Sequence, residues 1–279
     1  METVSTTKAH GGTLGVYKHA STATGTEMTF SVFVPPQAAA GAKLPVLLYL
    51  SGLTCTHANV TDKGEYRRLC AELGLVFVAP DTSPRGDGVA DDAAGAYDFG
   101  LGAGFYVNAT QEPFAAHYRM WDYVSEELPA LLAENFPIDP TRMGITGHSM
   151  GGHGALTLGL TFPDRFKSLS AFAPIVAPGQ VPWGHKALGG YLGDDRAAWR
   201  AHDATALVED GKRPAGAILI DQGDADNFLA EQLRPELFAA ACEQAGIDLT
   251  LRLQPGYDHS YNFISTFMDD HLRWHAARL

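Results

Sequence analysis

One serine in this chain lies in a pattern that can make it a nucleophile. Residues 147–151 read Gly-His-Ser-Met-Gly, with Ser149 at the centre. A short apolar run over residues 143–146 precedes the pattern, and small residues suited to a closely packed helix follow it. This is the strand–turn–helix setting of a nucleophile elbow, in which the glycines let two backbones pass at a sharp turn. Such short patterns also arise by chance, so an ordinary packing turn is the alternative unless partners for Ser149 exist.

The first partner needed is a base, because a serine hydroxyl is a poor nucleophile at neutral pH. In enzymes with such an elbow, an acid and then a histidine follow the serine on loops after later strands. Of the eleven histidines, His259 has the best placement, since it follows the predicted strand at residues 249–253.

The other histidines near the elbow or downstream of it are less suitable. His148 and His153 are too close to the serine to be separately placed bases, and we expect them to pack or to make local hydrogen bonds. His271 and His275 lie well inside a predicted terminal helix, where we expect a solvated face.

Three aspartates follow the predicted strand at residues 217–220 and could orient the histidine. Asp221 ends that strand and could simply cap the turn, whereas Asp226 lies far enough into the loop to reach toward His259. Spacing alone favours Asp226 over Asp221, with Asp224 third, and leaves the choice open.

A developing oxyanion needs two backbone donors. We expect one to be the N–H of Met150, directly after the nucleophile, and the other to be the N–H of Leu53 in the loop at residues 51–54. Gly52 would give that loop the freedom to aim the Leu53 N–H inward. An ordinary glycine turn is the alternative for this loop.

Length, composition and charge limit the protein class. No repeat or low-complexity linker divides the 279 residues, so we expect a single domain over residues 1–279. The net charge of −12 argues against nucleic-acid and anionic-membrane binding, because both need an excess of Lys and Arg. Residues 1–12 resemble neither a signal peptide nor an anchor, and no apolar run approaches the roughly 20 residues of a membrane span. The three scattered cysteines, Cys55, Cys70 and Cys242, then indicate reduced thiols in a cytoplasmic protein.

The order of the predicted elements indicates an α/β fold. Residues 27–34 alternate polar and apolar side chains and predict an N-terminal antiparallel hairpin with the segment around residues 16–17. From residue 45 onward strands and helices alternate, which predicts a mostly parallel sheet covered on both faces, with eight strands in all. Two long turn-rich connections, residues 81–113 and 174–200, interrupt this order, and the second could overhang the cleft.

Ordered motifs along essentially the whole chain resemble one family, the S-formylglutathione hydrolases, also called the esterase D family. The motifs are PVLLYLSGLTCT at 45–56, VAPDTSPRG at 78–86, GAGFYVNATQEPF at 102–114, YRMWDYVSEELP at 118–129, GHSMGGHGAL at 147–156, FAPI with PWG at 182–184, GYLG at 190–193, DQGDADNFL at 221–229 and PGYDHSYNFI at 255–264. The chain departs mildly from the family pattern at residues 59–63 and at His185, which could alter substrate preference.

This resemblance implies the α/β-hydrolase fold and assigns Ser149 as nucleophile, His259 as base and Asp226 as orienting acid. The implied reaction is hydrolysis of S-formylglutathione to formate and glutathione, within formaldehyde detoxification. It also implies a homodimer or higher homo-oligomer. We expect no metal or organic cofactor, since this hydrolysis needs only water and the triad.

A formyl group is small, so bulky side chains are expected to narrow the acyl side of the cleft. Cys55 and Trp183 are the candidates, with core packing as the alternative for each. The position of Cys55 beside the oxyanion loop leads to the hypothesis that thiol reagents block activity, which inhibition retained in Cys55→Ser would contradict. An anionic tripeptide also calls for cations near the cleft, but sequence alone does not identify them.

Three other functions were weighed. A general carboxylesterase for short-chain esters is the main alternative, because the same machinery accepts oxygen leaving groups. Acyl transfer to a sugar or lipid is less favoured, since such relatives tend to be secreted and no export signal is visible. A non-catalytic scaffold would lack a triad member, and none is missing.

Overall fold

A nine-stranded sheet runs through the protein, as seen in a computed structural model that describes residues 1–279. The strand order across the sheet is β1-β2-β3-β5-β4-β6-β7-β8-β9. In chain order the strands are Glu2–Ala9 (β1), Gly12–Ala20 (β2), Glu27–Val34 (β3), Leu44–Leu50 (β4), Val76–Pro80 (β5), Ile138–Gly147 (β6), Phe166–Phe172 (β7), Ile218–Gly223 (β8) and Leu249–Gln254 (β9).

The pairing confirms the predicted mostly parallel sheet with an antiparallel N-terminal part. Strands β4 to β9 pair in parallel, whereas β1, β2 and β3 pair antiparallel with one another, and β3 with β5. The prediction of eight strands was wrong, because β1 adds a ninth at the edge. Every residue of β1 except Ala9 is exposed, so this strand has no apolar alternation by which it could be recognised.

Helices cover both faces of the sheet. They are His57–Lys63 (α1), Arg67–Leu73 (α2), Met120–Asp122 (α3), Leu128–Asn135 (α4), Met150–Thr161 (α5), Pro182–Leu192 (α6), Arg196–Arg200 (α7), Ala204–Glu209 (α8), Pro235–Ala245 (α9) and Tyr261–Ala276 (α10). Shorter 3₁₀ turns lie at Pro36–Ala40, Phe114–Ala116 and Pro178–Gln180, and wider π turns at Tyr123–Glu127 and Leu229–Leu233. None of the helices combines the length and hydrophobicity that crossing a membrane would require.

The parallel strands position the candidate site. All seven residues of β4 are buried, as its continuous apolar sequence predicts for a strand covered on both faces. The loops that carry the candidate residues follow β4, β6, β8 and β9, which are parallel members of one sheet. Their carboxyl ends therefore meet at one edge, where ligands bind in open α/β sheets.

Helix α10 is held to the sheet by a buried polar network. The side chains of His271 and His275 are fully buried, so the expectation that they lie on a solvated face was wrong. His271 Nε2 donates to Asp221 Oδ2 at 2.9 Å, and its Nδ1 lies 2.8 Å from Ser170 Oγ. His275 Nε2 lies 2.8 Å from the same Ser170 Oγ, and its Nδ1 lies 2.6 Å from Ser168 Oγ. The hydrogen bonds to serines of β7 thus offset the cost of burying these two polar side chains.

Asp221 anchors the other end of this network. Its carboxylate accepts from Arg252 Nε at 2.8 Å and from Gln254 Nε2 at 2.7 Å, in addition to His271. Burial alone would raise the pKa of Asp221, but the bonds from His271 and Arg252 outweigh it and lower that pKa to about 2. Asp221 is therefore a charged structural residue of the sheet.

We expect Asp221→Asn to lower the free energy of unfolding by about 2–4 kcal/mol, since one partner of a buried charged network is removed. Denaturant unfolding near neutral pH measures this loss, and Asp224→Asn on the exposed part of the same loop is the control. Because the folded pKa of Asp221 lies below the unfolded value of about 3.9, the wild-type advantage should persist above about pH 4 and shrink as pH falls toward about 2. Equal stability of the two proteins at neutral pH would contradict this structural role.

Candidate active site

Ser149 stands at the sharp turn between β6 and α5. Its backbone has φ 59° and ψ −117°, a conformation that a residue with a side chain adopts only under strain. A Cβ atom on Gly151 would lie 1.9 Å from Leu50 O, and one on Gly147 would lie 2.3 Å from Gly151 O. The glycines on either side of the serine are therefore required by backbone contact, and the elbow geometry predicted from the pattern is present.

The structure brings His259 and Asp226 together beside this turn. His259 Nδ1 lies 2.5 Å from Asp226 Oδ2, and Ser149 and His259 line the same cleft. Asp226 Oδ2 also accepts from Gln222 Nε2 at 3.2 Å, and its Oδ1 accepts from the Phe228 N–H at 2.8 Å. The Asp226 side chain is fully buried while that of His259 is 18% exposed, so the pair presents only the imidazole to the cleft.

The two other aspartates of this loop have different partners. Asp221 belongs to the buried network under α10, and Asp224 accepts from the Gly256 N–H at 2.7 Å on the surface. Neither contacts His259. Spacing had left the three aspartates as alternatives, and Asp226 is the one that lies at the histidine.

Two backbone N–H groups close to Ser149 lack acceptors. The N–H groups of Leu53 and Met150 make no hydrogen bond with any other group of the protein, and both belong to turns that border Ser149. A Cβ atom on Gly52 would come within 3.2 Å of Ser149 Cβ and of the His148 ring. Gly52 therefore packs closely against the elbow, and a side chain there would require its neighbours to shift by a few tenths of an ångström. Its φ is not in the left-handed region, so the conformational freedom expected of this glycine is not used.

The long connection at residues 81–113 supports the oxyanion loop. Tyr106 Oη donates to Ser51 O at 2.9 Å, and His153 Nε2 in α5 lies 3.0 Å from Phe105 O. Phe105 and Tyr106 both have positive φ, at 47° and 51°, which is strained for aromatic residues. This strained pair ties the loop after β4 to the helix after the elbow. It also gives His153 the local hydrogen bond expected for it.

The cleft around Ser149 encloses about 290 Å³. Its lining combines the predicted residues with aromatic side chains from four separate segments of the chain. The lining residues are Gly52, Leu53, Thr54, Cys55, Asn59, Tyr97, His148, Ser149, Trp183, Phe228, His259, Ser260 and Tyr261.

Cys55 and Trp183, the two candidates for narrowing the acyl side, both line this cleft. Trp183 packs on Phe228 with ring centroids 4.7 Å apart, and Phe228 meets the His259 ring edge-on at 5.0 Å. Cys55 is only 9% exposed, and burial raises the pKa of its thiol. Cys55 is therefore predominantly a neutral thiol at neutral pH.

Sequence reasoning missed Tyr97, Phe228 and Tyr261 as lining residues. Phe228 and Tyr261 each follow a predicted catalytic residue by two positions, and that proximity was the available signal. Tyr97 lies in the long connection, where only the unusual loop length pointed to function. His148 packs as expected, but it also borders the cleft, with its ring centroid 4.3 Å from that of His259.

His148 does not carry a positive charge beside His259 at neutral pH. Burial, with a smaller contribution from His259, holds the pKa of His148 well below its usual value. No group of three or more His, Cys, Asp or Glu side chains is arranged as a metal site.

Comparisons with known proteins agree with this geometry. The esterase family model, described as "Putative esterase", matches residues 21–274. An S-formylglutathione hydrolase of Paracoccus denitrificans is 55% identical over 278 residues, which cover 100% of this chain and 98% of that protein. The S-formylglutathione hydrolase of Mus musculus is 51% identical over 282 residues, covering 100% of this chain and 99% of that protein.

A solved structure extends the similarity to the fold. The S-formylglutathione hydrolase of Agrobacterium tumefaciens superposes with a TM-score of 0.98 at 58% identity, and the match covers 100% of both chains. By sequence and by structure, the chain belongs to the S-formylglutathione hydrolase family of esterases with the α/β-hydrolase fold.

Proposed function

We propose that this protein hydrolyses the thioester S-formylglutathione to formate and glutathione, with Ser149 as nucleophile, His259 as base and Asp226 as orienting acid. The proposal rests mainly on sequence identity: over the full length of the chain, more than half of all residues are identical to those of S-formylglutathione hydrolases. The 2.5 Å contact between His259 Nδ1 and Asp226 Oδ2, in the cleft that Ser149 lines, supports the assignment of roles.

In the acylation half-reaction, Ser149 Oγ attacks the formyl carbon while His259 Nε2 takes the hydroxyl proton. Asp226 accepts from His259 Nδ1–H, which leaves Nε2 free to act as the base and stabilises the imidazolium that forms. The negative charge on the carbonyl oxygen is met by the unpaired N–H groups of Leu53 and Met150. Collapse of this intermediate breaks the carbon–sulfur bond, and glutathione leaves with the proton from His259.

Deacylation uses the same groups in reverse roles. His259 takes a proton from a water molecule, whose oxygen attacks the formyl ester on Ser149. The second tetrahedral intermediate breaks the bond to Ser149 Oγ, formate leaves, and the proton returns to the serine. We propose that Cys55 and Trp183 narrow the acyl side around the small formyl group, since both line the cleft.

We expect kcat/KM for S-formylglutathione to exceed that for a short aryl ester such as 4-nitrophenyl acetate by at least about 100-fold, because recognition of the glutathione part adds binding energy that the ester lacks. Steady-state kinetics of the purified protein on both substrates measure this ratio. The alternative, a general short-chain carboxylesterase, rests on the aromatic side chains Tyr97 and Phe228 at the cleft, which could hold an aryl group. A large preference for the aryl ester would favour that alternative.

Other features of the protein are also proposals. One domain over residues 1–279 is supported by the single sheet and the continuous buried core. A homodimer or higher homo-oligomer is supported by exposed Val4 and Leu253 on the two edge strands of the sheet. A cytoplasmic location is supported by the three buried, unpaired cysteines. Light scattering during gel filtration tests the oligomeric state, and cell fractionation tests the location.

A further inference from the structure

Few positive charges near the cleft are free to bind an anion. The substrate of the proposed reaction carries carboxylates on its glutathione part, whereas the protein has a net charge of −12. Two cations close to lining residues are already paired with acids: Lys186 with Asp98, and Arg85 with Asp81. Lys63 is exposed and forms no ion pair, so its ammonium group is uncommitted.

The fold directs Lys63 toward the cleft. Lys63 is the last residue of α1 and lies four positions after Asn59, so both occupy one side of that helix. Asn59 lines the cleft. Lys63 Nζ lies 5.9 Å from the centre of the Tyr261 ring, and Tyr261 also lines the cleft. Two lining residues thus locate the ammonium group at the rim.

The charge of Lys63 also reaches the cleft interior. Burial is the main influence on Cys55 and raises the pKa of its thiol, but the Lys63 ammonium acts in the opposite direction. Cys55 lines the cleft next to the oxyanion loop. An anion bound at this rim would therefore lie within the field of Lys63.

We propose that Lys63 binds a carboxylate of the glutathione part of the substrate and so gives the site its preference for glutathione thioesters. This inference rests on the proposed hydrolysis of S-formylglutathione. A lysine suits the task because an exposed ammonium on a flexible stem can form a moderate ion pair and still release the product. The contact is made to the glutathione part and not to the reacting carbonyl, so it is equally available in the ground state and the transition state. Its loss should therefore raise KM and leave kcat unchanged.

The test compares Lys63→Met with wild type on S-formylglutathione and on the uncharged ester 4-nitrophenyl acetate. We expect KM for the thioester to rise about three- to tenfold, with kcat and both ester constants within twofold. Lys63→Arg should recover most of the affinity. Lys43→Met is the matched control, because it removes one exposed, unpaired lysine directly before β4, at the opposite end of the sheet from the cleft.

Analogues of the substrate that each lack one carboxylate identify the partner of Lys63. The two analogues are the S-formyl thioester of glutathione with its glycine carboxylate converted to an amide, and that of 4-aminobutanoyl-cysteinylglycine, which lacks the carboxylate of the glutamyl residue. One of them should react equally well with wild type and Lys63→Met, which identifies the missing group as the partner of Lys63. A difference that persists with both analogues would overturn the proposal.

The remaining outcomes separate this proposal from the proposed function. Wild-type activity on S-formylglutathione with an unchanged KM in Lys63→Met would overturn the role of Lys63 alone. Equal losses on the thioester and the ester would overturn it as well, because they would indicate damage to the site. A wild-type protein that hydrolyses 4-nitrophenyl acetate but not S-formylglutathione would overturn the proposed function and, with it, this inference.

Discussion

Ser149→Ala should lower kcat for S-formylglutathione by about ten-thousand- to a million-fold, the loss typical of removing the nucleophile from a serine hydrolase. Without the Oγ atom no formyl-enzyme forms, and the two unpaired N–H groups at Leu53 and Met150 can act only on an uncatalysed attack by water. Single-turnover kinetics and labelling by a fluorophosphonate measure the effect, because the probe bonds covalently to an activated serine. The label should be absent from the variant.

The control for this variant is Ser265→Ala. Ser265 lies in α10 outside the cleft, and the only hydrogen bond of its side chain is a long one of 3.4 Å to Asn262 O. It should keep wild-type activity and labelling. Labelling that survives in Ser149→Ala, or activity within tenfold of wild type, would mean that another residue is the nucleophile. A wild-type protein that the probe does not label would favour a non-catalytic scaffold.

Asp226→Asn should lower kcat by about ten-thousand-fold while the protein stays folded. The carboxylate accepts a hydrogen bond from His259 Nδ1–H, and this bond fixes the tautomer whose Nε2 can act as base. An amide can donate to Nδ1 and so stabilise the opposite tautomer, which has a proton on Nε2 and cannot accept one from Ser149. Steady-state kinetics and a thermal unfolding curve separate the chemical loss from a structural one.

The same substitution at the two neighbouring aspartates supplies the controls. Asp224→Asn keeps an acceptor for the Gly256 N–H and should leave kcat within about threefold of wild type. Asp221→Asn should mainly reduce stability, through its buried network. A loss of catalysis in Asp224→Asn as large as that in Asp226→Asn would contradict the assignment of the orienting acid.

The chemistry of the site was readable from sequence because it depends on local spacing and chain order. Glycines two residues before and after Ser149 identify it in the sequence. The backbone contacts at the elbow leave no room for a side chain at those two positions. His259 and Asp226 follow later parallel strands, and the carboxyl ends of such strands meet at one edge. Choosing Asp226 over Asp221 needed the family resemblance, since both follow the same strand.

Features that depend on distant partners could not be predicted. His271 and His275 are polar residues on a helix, and their burial is explained by contacts with distant residues: Ser168 and Ser170, more than one hundred residues earlier, and Asp221. A cap at Thr61 or Asp62 predicts a helix through about Leu73, but the structure interrupts this segment at Glu65, whose φ is 53°. The apolar spacing of residues 228–245 likewise predicts one helix, but the structure interrupts it at Arg234, with φ 51°. Neither Glu65 nor Arg234 is a glycine, but the adjacent Gly64 and Pro235 are sequence signals for a helix break that the prediction did not use.

The buried network under α10 has a consequence for the order in which the site is completed. Ser149 and the strands around it are synthesised more than one hundred residues before His259, which lies directly before α10. His259 directly precedes α10, so its position beside Ser149 depends on the docking of His271 and His275 against β7. Under the proposed assignment of His259 as the base, a chain in which α10 has not docked lacks that base. Activity would then report that the C-terminal helix is in place.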